Sequence, residues 1–595
     1  EWTSIPPLTS RKIAFRIVGP PPGPADRVAT ELRLVNERGD VLATLDDSLG
    51  ARRADERHSR TFRSEIDGSV QYYAVVPASP GDGSTAPGIV LSLHGASVQA
   101  ARQAACYEAR PWAHLVAPTN RRPFGFDWED WGRLDAIEVL DLNQARLGTD
   151  PDRTWLTGHS MGGHGTWHLG VTYPDRFAAI APSAGWISFR SYTGAAGFDD
   201  ADAVEAMMAR ATTPSDTMSL TPNLAGRGIY VLHGDADDNV PVSEARTMRS
   251  HLATFHTDFA YYERPGAGHW WGKRCVDWPP LMSFLEAHAV DTSTAARAVS
   301  FVTANPGVSS RRRWVEVIGQ ERTGVLSRVD LTWDPETRRI AGSTVNVSRL
   351  RFDVGAFEAG AAPTIELDGA PVPDAPERDA SSQVWLERRD GAWRRTDEPS
   401  RAHKGPHRNG GFKDAFRHRV MLVYGTQGTD EENAWAIAKA RYDAETFWMR
   451  GNGSFDIVRD IDFDAETTVN RNVILYGNAD TNAAWNDVLD LSGFTLRRGI
   501  LRLGAHEMTD DDLACLVIRP RRGSDVASVG IVGGTGIVGL RLTDRLPYFV
   551  SGVGYPDVTI LSPDVLEHGM KGIVAAGYFA EDWSVERGDW AMRAD

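Results

Sequence analysis

A serine flanked by closely spaced glycines is the residue of this chain best suited to covalent chemistry. The sequence GHSMG at 158–162 follows a short strand-like segment, 153–157, and precedes a segment of helical character. Glycines permit a backbone turn too sharp for larger residues, and such a turn would raise the Ser160 hydroxyl above a sheet edge at the start of a helix. A helix N-terminus stabilises negative charge that develops nearby. The alternative, a chance match in a glycine-rich chain, is disfavoured by the flanking strand and helix.

A serine hydroxyl becomes an effective nucleophile only with a base, which is held in turn by an acid. In chains with this kind of turn, the acid and then the base follow the serine. One strand-ending loop, in IYVLHGDADDNVPV, carries Asp235, Asp237 and Asp238, and a second, in YYERPGAGHWWG, carries His269. Because the ends of parallel strands meet at one sheet edge, we expect these groups to meet Ser160 there. For His269 the alternative is an ordinary surface-loop histidine.

The elements that must position these side chains lie in residues 59–290, where strand-like and helix-like segments alternate. Short apolar strands are predicted at 88–94, 154–157, 178–182, 229–233 and 258–263. Strand-then-helix repetition implies a parallel sheet that helices cover on both faces. The fold class predicted for this segment is therefore α/β.

Four pieces of sequence are together typical of one superfamily. They are LSLHGAS at 91–97, GHSMGG at 158–163, HGDADDNVP at 233–241 and GAGH at 266–269. On these pieces residues 59–290, less than half of the chain, resemble an α/β-hydrolase of the prolyl-oligopeptidase and esterase type. The resemblance implies that Asp237, the third residue after the His-Gly pair, is the triad acid, with Asp235 and Asp238 as neighbours that could be confused with it. It does not separate esterases from peptidases.

The tetrahedral intermediate of acyl transfer requires two hydrogen-bond donors aimed at its oxyanion. One should be the backbone N–H of Met161, directly after the nucleophile. The other should be the N–H of Ala96, in the turn that follows His94, with that of Ser97 as the alternative. Each such donor typically contributes roughly 3–4 kcal/mol of transition-state stabilisation. His94 itself is interpreted as structural, with a catalytic role as the alternative.

Tryptophans close to these motifs offer flat apolar walls for an acyl group or a sugar ring. Trp270 and Trp271 directly follow His269 and are the candidate substrate-binding residues, while Trp128 and Trp131 lie between the second and third strands of the domain. A position in the core is the alternative for all four, because large aromatic side chains are usually buried.

An insertion between strands, 185–228, carries one predicted helix at 200–211 with Met207 and Met208. We expect this segment to form a lid over the acyl pocket. Acidic residues near its start, such as Asp199, lack the spacing of a calcium loop. We predict solvated acidic loops and no metal.

The remainder of the chain divides into three further segments. For residues 1–58 the pattern predicts a β segment with a hairpin around an Arg-Gly-Asp turn. This segment is either complete or the remnant of a larger domain. For residues 297–400 the pattern predicts a β-sandwich-like unit. Residues 412–595 predict a second α/β unit of Rossmann- or flavodoxin-like type, since strands there feed helices through glycine turns at 421–435 and 473–485.

The sequence GTGIVG at 534–539 fits a dinucleotide-binding motif after an apolar strand. However, it comes late in its segment, and no acid is clearly placed at the end of the next strand. We predict a tight structural turn rather than a cofactor site, and no cofactor for the protein.

Composition excludes several classes of protein. Basic residues number 64 against 80 acidic ones, a net charge of −16, which argues against broad nucleic-acid binding. No apolar run is long enough to span a membrane. The three cysteines are too few for a disulfide scaffold. Cys106 and Cys275 are either a disulfide that fixes the histidine loop or, the favoured interpretation, two free thiols.

These observations predict a serine hydrolase in which Ser160 is the nucleophile, His269 the base and Asp237 its partner. The favoured activity is hydrolysis of a small-molecule or carbohydrate ester. A serine oligopeptidase is the first alternative, although only about 58 residues precede the domain, too few for the propeller that such peptidases usually carry. A scaffold or binding protein with an incidental hydrolase domain is the second. The chain begins without Met, so any leader would be invisible: we expect a secreted or periplasmic protein, with the cytoplasm as the alternative. The oligomeric state does not follow from the sequence.

Overall fold

The computed structural model describes residues 12–17, 26–81, 86–193, 197–290, 297–356, 363–373, 383–490 and 492–593. The start of the predicted N-terminal β segment lies outside the described residues. Across the described segments, no helix combines the length and apolar character needed to cross a bilayer.

The N-terminal part forms the predicted hairpin. Strands β1 (Arg27–Val35) and β2 (Val41–Gly50) pair antiparallel around a turn in which the Gly39 N–H donates to the carbonyl of Asn36. Both strands are largely exposed. Among the residues that the structure describes, they pair with each other and not with the larger sheet that follows.

Residues 58–286 form an eight-stranded sheet with helices between its strands. The strands are β3 (His58–Arg63), β4 (Val70–Val76), β5 (Gly88–Leu93), β6 (Ala113–Ala117), β7 (Thr154–His159), β8 (Ala179–Ser183), β9 (Gly228–Gly234) and β10 (Phe259–Arg264). The helices are α1 (Ala100–Ala104), α2 (Asp130–Leu147), α3 (Met161–Thr172), α4 (Phe189–Thr193), α5 (Ala203–Thr212), α6 (Thr217–Leu220), α7 (Val242–Leu252) and α8 (Pro279–Glu286).

The sheet order is β10-β9-β8-β7-β5-β6-β4-β3. Strands β5 to β10 run parallel, and β4 is antiparallel to both of its neighbours. Apolar side chains of α2, α3 and α7 cover one face, and those of α1 and α8 cover the other. The predicted parallel sheet with two helical layers is confirmed, and all five predicted strands form within about one or two residues of their expected bounds.

Residues 298–396 form two five-stranded sheets. Their strands are β11 (Ala298–Thr303), β12 (Arg311–Arg312), β13 (Val315–Gly319), β14 (Ser327–Asp334), β15 (Arg339–Val345), β16 (Arg349–Asp353), β17 (Thr364–Leu367), β18 (Ala370–Pro371), β19 (Gln383–Arg389) and β20 (Ala392–Thr396). One sheet has the order β11-β14-β15-β17-β18 and the other β12-β13-β16-β19-β20. Both contribute buried residues to one core, for example Phe301 and Leu331 from the first and Leu350 and Leu386 from the second.

Within residues 412–490 and 492–593, the C-terminal part contains an eight-stranded sheet, a three-stranded sheet and four α-helices. Its strands are β21 (Met421–Tyr424), β22 (Asp456–Arg459), β23 (Val473–Tyr476), β24 (Phe494–Arg497), β25 (Ile500–Leu503), β26 (His506–Met508), β27 (Ala514–Pro520), β28 (Ser528–Gly534), β29 (Val558–Leu561), β30 (Ile573–Tyr578) and β31 (Asp589–Met592). Its helices are α9 (Asp430–Gly451), α10 (Trp485–Val488), α11 (Ile537–Leu542) and α12 (Val565–His568).

The C-terminal sheet departs from the predicted Rossmann- or flavodoxin-like pattern. Its order is β22-β21-β23-β28-β27-β29-β30-β31, and only the first four of these strands are parallel. The first predicted strand-to-helix unit is confirmed: α9 follows β21 and starts with a Thr429–Glu432 capping box. The second is not a full crossover, because the helix α10 after β23 spans a single turn.

The glycines of GTGIVG are explained by close packing against the preceding loop. A Cβ at Gly536 would overlap the carbonyl of Asp511, and one at Gly539 would overlap that of Leu513. The Thr535 N–H donates to the Leu513 carbonyl at 2.9 Å. The segment 511–513 thus lies against the turn and accepts its Thr535 N–H group, as expected for a structural turn.

The predicted lid packs elsewhere than over an acyl pocket. Helix α5 buries Met207 and Met208 in a core shared with the C-terminal sheet, and Arg210 pairs with Asp589 of β31 at 2.8 Å. Asp202, one of the acidic residues at its start, caps this helix by accepting the N–H groups of Val204 and Glu205. The insertion therefore connects two parts of the molecule, and the lid prediction is wrong for this helix.

Candidate active site

Ser160 occupies the sharp turn that the sequence predicts. β7 ends at His159, α3 begins at Met161, and Ser160 between them has φ 60° and ψ −121°. A Cβ at Gly158 would overlap the carbonyl of Gly162, and one at Gly162 would overlap that of Leu93. Only glycine fits at both positions, and the serine is forced into a strained conformation at the helix start.

His269 and Asp237 form the pair expected of a base and its orienting acid. His269 Nδ1 lies 2.8 Å from Asp237 Oδ2 and 3.0 Å from Oδ1. The Asp237 carboxylate is fully buried, while the His269 ring is partly open. Burial favours the neutral acid, but hydrogen bonds from His233 and His269 outweigh it and hold the pKa of Asp237 well below its usual range. The carboxylate is therefore charged and can hold the Nδ1–H tautomer of the base.

His233 is a contact of the acid that the sequence did not indicate. Its Nε2 lies 3.2 Å from Asp237 Oδ2 and 2.9 Å from the carbonyl of Val240. The N–H groups of Asn239 and Val240 also donate to Asp237 Oδ1. The His-Gly pair of the motif was the available signal, but its contact with the acid depends on the path of the loop.

The two acidic neighbours of Asp237 point elsewhere. Asp235 Oδ1 accepts the N–H of Gly266 at 2.7 Å and so joins the two loops. Asp238 is exposed. Of the three candidates, only Asp237 contacts His269 within the described residues.

A second histidine, His159, links the base to the nucleophile turn. Its Nε2 lies 2.8 Å from the carbonyl oxygen of His269, and the two rings are 4.8 Å apart. Burial lowers the pKa of His159 to about 3, so the ring is neutral and donates from Nε2. No hydrogen bond joins Ser160 to His269 in the described segments, and in hydrolases such contacts often tighten only with substrate.

The backbone donors predicted for the oxyanion lie beside Ser160. A Cβ at Gly95 would stand 3.9 Å from Ser160 Oγ, which places the turn after His94 against the nucleophile. The N–H of Ser97 donates to the Pro123 carbonyl at 3.0 Å. Among the described residues, the N–H groups of Ala96 and Met161 have no acceptor. Of the two alternatives in this turn, the geometry favours Ala96.

The His94 ring holds this turn through contacts with backbone carbonyl groups. It is buried, and its ring nitrogens lie 2.9 Å and 2.8 Å from the carbonyls of Gly95 and Thr119. Trp128 packs edge-on against it and donates its indole N–H to the His94 carbonyl. Both residues are structural, and Trp131 is likewise in the core.

The two tryptophans after the base have different surroundings. Trp270 is 53% exposed and packs edge-on against His159 at 5.2 Å. Trp271 lies against the core beside α8, under the guanidinium of Arg264 at 5.5 Å. Only Trp270 is open beside the predicted site, so the expectation that both form a pocket wall is corrected for Trp271.

The cysteines are free thiols. Cys275 is buried, accepts the N–H of Trp271 at 3.0 Å and has its pKa raised to about 12 by burial. Cys106 is half-buried and unbridged. The histidine loop is thus fixed by packing, and the disulfide alternative does not form.

Comparison with known proteins identifies the same region of the chain. Residues 121–285 match the sequence model of the prolyl oligopeptidase family. An uncharacterized secreted protein of Arthroderma benhamiae is 24% identical over 576 residues, covering 91% of this chain and 60% of that protein. Poly(3-hydroxyalkanoate) depolymerase C of Paucimonas lemoignei is 32% identical over 138 residues, covering 20% of this chain and 32% of that enzyme.

The chain thus spans well under the full length of either relative. Among solved structures, that of a thermostable esterase covers 44% of this chain and 72% of its own, at 18% identity and a TM-score of 0.31. The family match confirms the resemblance drawn from the motifs: residues 121–285 form a domain of the prolyl oligopeptidase family of serine hydrolases.

Proposed function

We propose that this protein hydrolyses carboxylic esters through an acyl-enzyme formed on Ser160. The observation that carries the proposal is the His269–Asp237 contact at 2.8 Å beside the strained turn of Ser160. A turn of this shape, an ionised acid and two free N–H donors together meet the requirements of nucleophilic acyl transfer.

In the first half-reaction, Ser160 Oγ attacks the ester carbonyl while His269 Nε2 accepts the hydroxyl proton. Charge that develops on the carbonyl oxygen is stabilised by the N–H groups of Met161 and Ala96. Asp237 holds the imidazole in its tautomer and stabilises the imidazolium. The tetrahedral intermediate collapses when His269 returns the proton to the alcohol, which leaves.

In the second half-reaction, water attacks the acyl-enzyme, and His269 accepts a proton from the water. The same two N–H groups bind the second oxyanion. Collapse of this intermediate releases the carboxylic acid and returns the proton to Ser160. No step requires a metal ion or an organic cofactor.

Two considerations support an ester over a peptide. An alcohol leaves more readily than an amine, which must be protonated as it departs. The partial match to a polyester depolymerase also lies on the ester side. The candidate substrates are small-molecule, aryl or carbohydrate esters. A serine oligopeptidase is the second candidate, because the matched family takes its name from a peptidase.

The test is a substrate panel of aryl esters, acetylated sugars and prolyl or alanyl peptide amides. We expect the best ester to turn over much faster than any amide. Ser160→Ala should lose activity by roughly a million-fold, while Ser492→Ala, at an exposed serine of the C-terminal part, should be unaffected. Internal peptide cleavage at the rate of the best ester would establish the oligopeptidase instead. Failure of a fluorophosphonate to label Ser160 would favour a scaffold role.

We also propose that the protein is exported. The support is its similarity to a secreted protein over 91% of the chain. Expression of the full-length gene in its native host and fractionation of the culture should place the activity outside the cytoplasm. Activity confined to the cytoplasmic fraction would contradict this.

A further inference from the structure

The C-terminal part of the chain packs directly against a loop of the hydrolase domain, residues 120–126. Arg121 donates from Nε to the carbonyl of Gly451 at 2.8 Å and pairs with the buried Asp67 at 2.6 Å. Arg122 donates to the Trp448 carbonyl at 3.4 Å, with its guanidinium 5.8 Å from the Trp448 ring. The C-terminal end of α9 is therefore fixed against this loop.

The same loop contacts the predicted oxyanion site. The Pro123 carbonyl accepts the N–H of Ser97, directly after the donor Ala96. Asn120 Nδ2 lies 2.9 Å from the carbonyl of Phe124 and 4.0 Å from the sulfur of Met161. The loop that carries Phe124 is thus hydrogen-bonded to the turn whose N–H groups would bind the carbonyl oxygen of a substrate.

Large apolar side chains remain exposed at this junction. Phe124 is 64%, Trp448 38% and Met449 69% exposed, and we call these three residues the junction surface. Their neighbours Phe126 and Phe447 are buried and pack together with ring centroids 5.6 Å apart. Packing between the two parts is thus achieved by other residues, and these three apolar side chains remain exposed on two segments that are hydrogen-bonded to each other. Large exposed apolar side chains can mark an interaction surface.

We propose that the junction surface binds the apolar portion of the substrate whose carbonyl lies at Ser160, an inference that rests on the proposed function. The argument for this occupant is continuity: the loop that carries Phe124 is hydrogen-bonded to the oxyanion turn, and the helix end that carries Trp448 and Met449 is hydrogen-bonded to that loop. On this proposal, a long alkyl chain of an ester held at Ser160 leaves the oxyanion turn along the loop 120–126 toward the end of α9. An acetyl or methyl group would not make these contacts.

The inference assigns part of the specificity to the C-terminal part of the chain. The substrate class is an ester with an extended apolar portion, rather than a small water-soluble one. Apolar contact stabilises binding in proportion to the area removed from water. Preference should therefore rise with chain length and fall when the junction surface is truncated.

The experiment measures the rate of Ser160 phosphonylation by two fluorophosphonates, one with an ethyl and one with a dodecyl chain. These probes report on the nucleophile and require no preference between esters and amides. The variants are Phe124→Ala, Trp448→Ala and Met449→Ala in the full chain. Leu566→Ala is the matched control, since Leu566 is 70% exposed on α12 and is not part of the junction surface.

We expect each variant to lower the second-order rate constant for the dodecyl probe by about five- to tenfold, as the loss of roughly 50 Å² of apolar contact implies. Labelling by the ethyl probe should be unchanged, and Leu566→Ala should change neither rate. A chain-length ratio that is the same in all variants would overturn the inference while leaving the serine hydrolase intact. Absence of labelling by both probes would overturn the proposed function itself. A dimer in solution that the three variants dissociate would assign the surface to self-association and overturn the inference.

Discussion

At the scale of single residues, Asp237 and Asp235 have different roles where the loop that carries them meets the loop of His269. Asp237 contacts the base, whereas Asp235 accepts only the N–H of Gly266 among the described residues. Asp237→Asn should lower kcat by about ten-thousand-fold, because an amide holds the wrong tautomer of His269. Asp235→Asn should lower kcat far less, since it removes the charge of this side chain but keeps an acceptor for the Gly266 N–H. Steady-state kinetics on the best substrate would check this, and equal losses would contradict the assignment of the acid.

His159 is a positioning residue in the geometry described above. Its Nε2–H donates to the carbonyl of His269, and its ring contacts those of His269 and Trp270. His159→Phe keeps the ring but loses the donor, so we expect kcat to fall about tenfold with KM nearly unchanged. His159→Gln retains a donor and should recover part of the loss. If both variants show equal kcat and equal thermal stability to the parent, the contact has no role in catalysis.

The sequence predicted some of these residues and not others for a physical reason. Ser160 and His269 could be predicted because a strained turn and a strand end impose local patterns of glycine and order along the chain. His159 and His233 were missed because their roles depend on which loops meet across the sheet edge. Trp271 was misassigned for the same reason: its neighbour in sequence is the base, but its neighbour in space is the core beside α8.

At the scale of elements, the start of α2 joins the hydrolase domain to the C-terminal part through a buried carboxylate. Glu129 Oε1 lies 3.1 Å from His164 Nε2 of α3, and its Oε2 accepts hydrogen bonds from Ser215 and from the N–H of Gly552. Burial opposes the charged form of Glu129 and would raise its pKa. The hydrogen bond from His164 and the charges of His164 and His168 act in the opposite direction and are stronger. The pKa of Glu129 is therefore lowered to about 2.

This carboxylate should make the stability of the protein depend on pH. The folded-state pKa lies below the unfolded value of about 4.3, so its contribution is present above that value and is lost as pH falls toward 2. Glu129→Gln should therefore be less stable than the parent at pH 7, with a smaller difference at pH 2.5. Urea unfolding at both pH values would measure this, with the exposed Glu431→Gln as control; a difference independent of pH would contradict it.

The elements themselves were predictable to different degrees. The parallel strands of the hydrolase sheet are apolar runs with helices between them, and burial on both faces makes that pattern visible in sequence. The C-terminal sheet contains equally apolar strands, but whether β27 or β30 runs parallel depends on the connections. Helix α5 shows an apolar stripe, and the sequence does not say which surface it covers.

At the scale of the whole molecule, one core extends across the hydrolase domain and the C-terminal sheet. Trp131 and Met208 from the first are buried with Phe416 and Phe549 from the second. The Trp131 indole N–H donates to the Phe416 carbonyl at 3.1 Å. No sequence pattern indicates this shared core, because each of these side chains also fits the core of its own segment. Shared burial implies that neither part keeps its packing when the other unfolds.

The hydrolase domain and the C-terminal sheet should accordingly unfold together. Loss of activity and loss of hydrogen-exchange protection in β28 should follow one transition, because β28 lies in the sheet that backs the shared core. Trp131→Ala should lower the free energy of unfolding of both by about 3–5 kcal/mol, the usual effect of removing a buried tryptophan side chain. Trp393→Ala is the matched control: it is also buried, but in the core of the two five-stranded sheets, so it should destabilise those sheets first. Suppose that the backbone amides of β28 exchange hydrogen at a temperature where Trp131→Ala is still fully active. This result would show that the two parts unfold independently. The junction surface would then be held by its polar contacts alone.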